Sequence, residues 1–146
     1  MGEVRIRSAV PGDCAALVRL IDQLDYQAGE AEIAERLGLI EADGRQVLVA
    51  ELEGRVVGCL STSMMRVLHR PKPVGRISMM VVDEALRGQG IGKALVRAAE
   101  RALHDAGCGL VEVTSHLRRT GAHAFYEHLG YERASLRFAI DTDEQG

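Results

Sequence analysis

The run Val81-Val82-Asp83-Glu84-Ala85-Leu86-Arg87-Gly88-Gln89-Gly90-Ile91-Gly92-Lys93-Ala94-Leu95 most constrains what this chain can fold into. It reads as the end of a buried strand, a short polar connection, a glycine-rich turn and the start of a helix. Three glycines at alternating positions leave a row of backbone N–H groups uncovered where that helix begins. Bare amides and the positive end of a helix dipole together make an anion site, above all for phosphate. The fold must therefore bring a strand end and a helix N-terminus together at a place open to a phosphorylated ligand.

Three phosphate loops compete for the run, and spacing separates them. A Walker loop needs glycine five residues before its Gly-Lys pair and Ser or Thr after it. Arg87 and Ala94 occupy those places, which excludes it. A dinucleotide fingerprint needs G-x-G-x-x-G directly after the first strand. Gly88-x-Gly90-x-Gly92 is a different pattern and follows at least three strand-like segments. The third candidate is the R/Q-x-x-G-x-G/A pyrophosphate loop of acyl-CoA transferases, which Arg87, Gly90 and Gly92 satisfy in order. A glycine-rich helix start with no ligand is the remaining alternative.

On these residues the chain resembles the GNAT N-acetyltransferase superfamily. A second segment, Thr120-Gly121-Ala122-His123-Ala124-Phe125-Tyr126-Glu127-His128-Leu129-Gly130-Tyr131, is similar to that family's later A-x-x-F-Y-x-x-x-G-F/Y motif. It lies one helix and one strand downstream, the order the family requires, and the resemblance spans essentially the whole chain. The resemblance implies an α/β (α+β) fold: a mixed, mostly antiparallel central sheet flanked by helices, in a single domain over residues 1–146.

Length and composition agree. One domain is expected at about 150 residues, and a hydrophobic content of 47% is ample for a core. No apolar stretch approaches the roughly 20 residues of a membrane span, and the N-terminus lacks the apolar core of a signal peptide. Cys14, Cys59 and Cys108 are widely spaced without a metal-ligand pattern, so they read as small core residues in a reducing cytoplasm. A net charge of -3 gives no support to nucleic acid as a partner.

Periodicity supplies the elements. Val4 to Val10 alternate as a first strand closed by Pro11-Gly12. Asp13 is placed to cap a helix whose Leu17, Leu20, Ile21 and Leu24 share one face. A second helix is expected from about Glu30 to Leu39. Gln46–Leu52 and Arg55–Leu68 form a hairpin around Glu53-Gly54, and Ile77–Val82 is a strand. The helix after the glycine loop places Ile91, Leu95, Ala98, Ala99, Ala102 and Leu103 inward. A strand at Leu110–Thr114, a short helix at Ala122–Leu129 and a last strand at Arg133–Ile140 complete the reading.

The resemblance then assigns roles. Met80, Val81 and Val82 would bond the pantetheine arm of acetyl-CoA through their main chain. Arg87, Gly88, Gln89, Gly90, Ile91, Gly92 and Lys93 would wrap its pyrophosphate. The acceptor would be a primary amine on a small molecule or a protein, with coenzyme A as the second product. An amine of pKa about 10.4 is neutral in roughly one molecule per thousand at neutral pH, so the enzyme must remove a proton before attack. Tyr126 matches the family's tyrosine near the CoA sulfur, a general acid for the departing thiolate; packing of its ring is the plainer alternative. No base stands out. Thr114 sits where some relatives have glutamate and Arg76 where others have an acidic residue. That leaves Glu112, His116, His123 or water. Arg119 replaces a frequent asparagine and could reach a CoA phosphate, or form a solvated basic turn with Arg118.

Asp22, Asp25, Glu30, Glu32 and Glu35 make the first two helical segments acidic. That suits a cationic acceptor such as a polyamine, aminoglycoside or lysine side chain, and equally a solvated helix face. Two further function classes stay open: a non-catalytic acyl-CoA sensor, and an interaction module or homodimer built on the apolar segment Leu136–Ile140. No metal, membrane or nucleic acid is expected.

Overall fold

The structure, a computed structural model, describes residues 2–115 and 119–143. The chain divides into two compact units, Met1–Val113 and Thr114–Gly146.

The first unit is a sheet with helices on both faces. In chain order it contains β1 (Val4–Ser8), a 3-10 turn at Pro11–Asp13, α1 (Cys14–Asp22), α2 (Glu30–Ala42), β2 (Val47–Leu52) and β3 (Arg55–Met65). Then come β4 (Val74–Val82), a 3-10 turn at Glu84–Leu86, α3 (Ile91–Asp105) and β5 (Leu110–Val113). The sheet order is β1-β2-β3-β4-β5. The first three pairings are antiparallel and β4–β5 is parallel, joined by the crossover helix α3 that a parallel pair requires. This is the mixed, mostly antiparallel sheet the resemblance implies.

Local chemistry explains the expected elements. Glu53 (φ 52) and Gly54 (φ 79) turn the β2–β3 hairpin, both in the left-handed region that two-residue hairpins use. On α3, Ile91, Leu95, Val96, Ala99 and Leu103 are buried. Their close approach depends on two glycines in the sheet. A Cβ at Gly75 would lie 2.9 Å from both Leu103 methyls, and one at Gly58 would lie 3.2 Å from Leu95 Cδ1. Neighbouring residues of a strand face opposite ways. Cys59 and its partner Val81 accordingly join the other core, beneath α1 and α2, with Leu17, Leu20, Ile33, Leu37, Val47 and Val49.

Two expectations are corrected. Asp13 makes no side-chain cap on α1. Its carboxylate instead accepts bonds from Arg7 Nη1 (2.8 Å) and Nη2 (3.0 Å) and from the Val10 amide (2.8 Å). A guanidinium makes the stronger, charge-assisted bonds. The Asp13 carboxyl is held below the usual carboxylate range, first by these Arg7 bonds. In the second unit, α4 (Thr120–His128) forms as expected, but the segment Arg133–Ile140 has no strand pairing. Leu136, Phe138 and Ile140 stand 72%, 89% and 87% exposed. A strand needs a partner as well as alternation, and this segment finds none among the described residues.

Cys14, Cys59 and Cys108 are free and buried. Desolvation pushes the Cys59 thiol up to about 12, so it is inert. Among the described residues no helix is long and apolar enough to cross a membrane, and no His, Cys, Asp or Glu cluster could hold a metal ion.

Candidate active site

The pairing of β4 with β5 stops at Ile77↔Val113, while β4 runs on to Val82. That stretch of β4 has β3 on one side and an open edge on the other. The Asp83 amide donates to the Val57 carbonyl (2.8 Å), which fixes the alternation of the β3–β4 ladder. Two residues back, Val81 spends its main-chain groups on Cys59, whereas Met80 and Val82 turn theirs to the open edge. Of the three residues expected to bond a ligand through their backbone, Met80 and Val82 thus have the right orientation. Val81, 3% exposed, contributes a core side chain. The register jumps from Ser61↔Met79 to Thr62↔Ile77, so Ser78 is an extra residue in β4. Such a bulge drops backbone groups out of the ladder, and this one falls where β5 pairing ends.

Beyond Val82 the chain turns sharply. Asp83 Oδ1 accepts the Ala85 amide (3.1 Å), the Asp83 carbonyl accepts the Leu86 amide (2.8 Å), and the Glu84 amide is held by Gln23 Oε1 (3.0 Å). Gly88 (φ 82) and Gly90 (φ 85) follow, and a Cβ at either would meet no heavy atom within 4 Å. Their glycine identity therefore answers to backbone conformation and to clearance above the loop, not to crowding within the protein. Gly90 is the N-cap of α3 and has no side chain to cap it, so the first-turn amides stay uncapped. Uncapped amides of this kind are what an anion cradle requires, and their chemistry fits a pyrophosphate.

Ile91 is 1% exposed with its Cγ2 against the Gly58 position, so it can offer a ligand only its amide. Arg87, Gln89 and Lys93 are exposed and Gly92 is half-buried. Arg87 Nε donates to the Val82 carbonyl (3.3 Å), folding the guanidinium back over the open end of β4.

In the second unit, Tyr126 packs edge-on against Phe125 (centroids 5.1 Å apart) and Tyr131 (5.8 Å). The aromatic-packing role is therefore real. Burial also pushes the Tyr126 phenol up to about 12, so it keeps its proton across the physiological range.

The base candidates fare unequally. Glu112 is not a free carboxylate: its Oε1 accepts from Arg76 Nε (3.1 Å) and Nη2 (2.8 Å). His123 is half-buried on α4. His116, like Arg118, lies outside the described residues. The acidic residues Asp22, Asp25, Glu30, Glu32 and Glu35 are all exposed, and Glu32 is engaged in capping the Gly29 amide (2.8 Å). The Arg76–Glu112 pair and the Ser78 bulge are the features sequence reasoning missed; both depend on strand register, which no local pattern encodes.

Comparison with known proteins identifies the family. The profile of the "Acetyltransferase (GNAT) family" matches residues 16–131. An aminoalkylphosphonate N-acetyltransferase of Salmonella typhimurium is 34% identical over 138 residues, covering 91% of this chain and 88% of that protein. An aminoglycoside N(6')-acetyltransferase type 1 of Stenotrophomonas maltophilia is 29% identical over 133 residues, covering 87% of this chain and 85% of its own. The crystal structure of a transcriptional regulator from Bacillus halodurans C-125 superposes with a TM-score of 0.87 at 25% identity, covering 95% of this chain and 99% of that one. The chain belongs to the GNAT acetyltransferase family, whose members are N-acetyltransferases that use acetyl-CoA as donor.

Proposed function

We propose that residues 1–146 form one N-acetyltransferase domain that moves an acetyl group from acetyl-CoA to a primary amine by direct attack on the thioester. The observation that carries this reading is the open stretch of β4 running straight into the uncapped glycine turn of α3. Met80 and the Val82 amide supply main-chain bonds to the pantetheine arm, the Val82 carbonyl already accepting from Arg87, and residues 87–93 supply amides to the pyrophosphate. Each amide–phosphate bond is charge-assisted and contributes about 1.5–3 kcal/mol.

The neutral amine attacks the carbonyl carbon, a C–N bond forms, and the C–S bond breaks to release coenzyme A. The amine's proton passes to water or to a base, and the thiolate regains one. Tyr126 is the general acid of this reading. A phenol near 12 stands well above a thiol near 8.5, so complete transfer to sulfur is uphill by about 5 kcal/mol. Its main contribution is then a hydrogen bond to the departing sulfur, with water completing the protonation.

The acceptor is a small-molecule or protein amine, and the relatives' names point to small molecules. A cytoplasmic location accords with three buried free thiols. Self-association through the exposed segment around Phe138 accords with its unpaired apolar side chains.

The test is acetyl transfer to an amine panel, read by product mass, in the wild type and Tyr126→Phe. The substitution should lower kcat by up to about 10²–10⁴ with little change in acetyl-CoA affinity. Intact acetyl-CoA binding with no product from any amine would favour the non-catalytic sensor. Absence of binding would refute the reading of the glycine turn.

A further inference from the structure

We infer that Arg76 and Glu112 form the acceptor subsite, and that the acceptor is an amine bearing an anionic group a few bonds from its nitrogen. This rests on the transferase reading above. The pantetheine arm follows the open edge of β4 toward the rung where β5 joins, Ile77↔Val113. The next rung is Arg76↔Glu112, about 3.3 Å further along the strands.

One face of the sheet is closed there. The Cβ direction of Gly75 runs into Leu103 and Cys108 at 2.9 and 3.1 Å, so α3 fills that side. Arg76, the neighbouring residue, faces the other way. On that other face the apolar cluster beneath α1 and α2 takes in Val81 and Met79 of β4 and no residue of β5. The uncovered residues nearest the junction of β4 and β5 include polar ones, beside the exposed apolar side chains of Leu110 and Met65 one step further on. Ser78 is exposed and bonded to Ser61 (Oγ to Oγ, 2.8 Å), and the side chains of Arg76 and Glu112 are each 36% exposed. An amine approaching the thioester from the face without α3 meets this pair.

The pair is built to be shared. Both of its hydrogen bonds fall on Glu112 Oε1 and come from Arg76 Nε and Nη2. Arg76 Nη1 and Glu112 Oε2 take no part in them. A guanidinium has five N–H donors in a planar fork that suits phosphonate, phosphate or carboxylate, and a carboxylate accepts from an ammonium. An amine carrying an anion satisfies both ends at once. A simple cation would be drawn to Glu112 and repelled by Arg76. The acidic helix residues offer no such discrimination, being solvated and, at Glu32, occupied by a helix cap.

The experiment compares 2-aminoethylphosphonate with ethanolamine as acceptors for the wild type, Arg76→Gln and Arg76→Lys, with thermal melts to verify folding. The wild type should favour the phosphonate in kcat/KM by roughly ten- to a hundred-fold, the discrimination of one charge-assisted hydrogen bond. In Arg76→Gln that ratio should fall toward one, and Arg76→Lys should recover part of it. No preference in the wild type, or an unchanged ratio in Arg76→Gln, overturns the inference. If no amine is turned over, the transferase reading fails by itself. Calorimetric titration of 2-aminoethylphosphonate into the CoA-loaded protein then decides the subsite. Binding lost in Arg76→Gln upholds it, and no binding in the wild type overturns it.

Discussion

Replacing Gly90 with alanine separates two consequences of one methyl group. The residue sits at φ 85, where an L-residue pays about 1–2 kcal/mol of steric strain. Nothing lies within 4 Å of the added Cβ, so no packing penalty adds to that strain. For a chain of this size the melting temperature should drop by about 2–4 °C per kcal/mol. Cofactor binding should suffer more, because on the proposed reading the methyl stands over amides that bond a phosphate. Losing even one such bond weakens Kd by roughly ten- to a hundred-fold.

Gly107 provides the control. It follows α3 at its far end, with φ 101 and open space around its Cβ, and its amide bonds to the His104 carbonyl (2.9 Å). Gly107→Ala should therefore cost similar stability and leave acetyl-CoA affinity within about twofold, since the same αL strain applies far from the glycine turn. Thermal melts paired with calorimetric titration of acetyl-CoA measure both quantities. Unchanged affinity in Gly90→Ala, or equal weakening in the two variants, would refute the phosphate-cradle argument.

Three other outcomes are expected. Asp13 is a carboxylate whose folded pKa lies below its unfolded value, so its stabilisation is present above about pH 4 and is lost as pH falls through the folded value. Acid denaturation of Asp13→Asn should show a shallower slope there, with a cost near neutral pH of about 2–3 kcal/mol, less than for a fully buried pair because Arg7 is partly exposed. Gly75→Ala should destabilise by about 1–3 kcal/mol in urea unfolding, because the new methyl collides with the buried Leu103. If the segment around Phe138 joins two copies, sedimentation should show a concentration-dependent dimer that Phe138→Ser abolishes; a monomer at every concentration would dismiss that surface.

What the sequence makes legible is what is local. The stripe on α3 is visible because helical spacing alone sets it, although Val96 is buried while Ala98 and Ala102 are only half-buried. The hairpin at Glu53-Gly54 and the glycine turn are visible because particular backbone angles demand particular residues. What stays hidden depends on partners distant in the chain. Asp13 looks like a helix cap until a guanidinium from β1 is brought beside it. Leu136, Phe138 and Ile140 alternate as a strand would, yet alternation says nothing about whether an edge is there to receive them. Arg76 and Glu112, read separately, are a missing acid and a doubtful base; only the parallel register makes them one ion pair.

The unpaired end of β4 has a consequence for the protein as a solute. A row of open main-chain donors and acceptors is a template for any extended chain, and folded proteins normally bury, shorten or charge such edges. Here the covering would be the cofactor, whose pantetheine arm occupies the place of a neighbouring strand. On that reading the edge of β4 would be a sticky flank without the cofactor and a covered one with it. Acetyl-CoA should then act as a solubilising agent, keeping concentrated samples dispersed and slowing amide exchange at Met80 and Val82 while leaving Val81, already bonded to β3, largely unaffected.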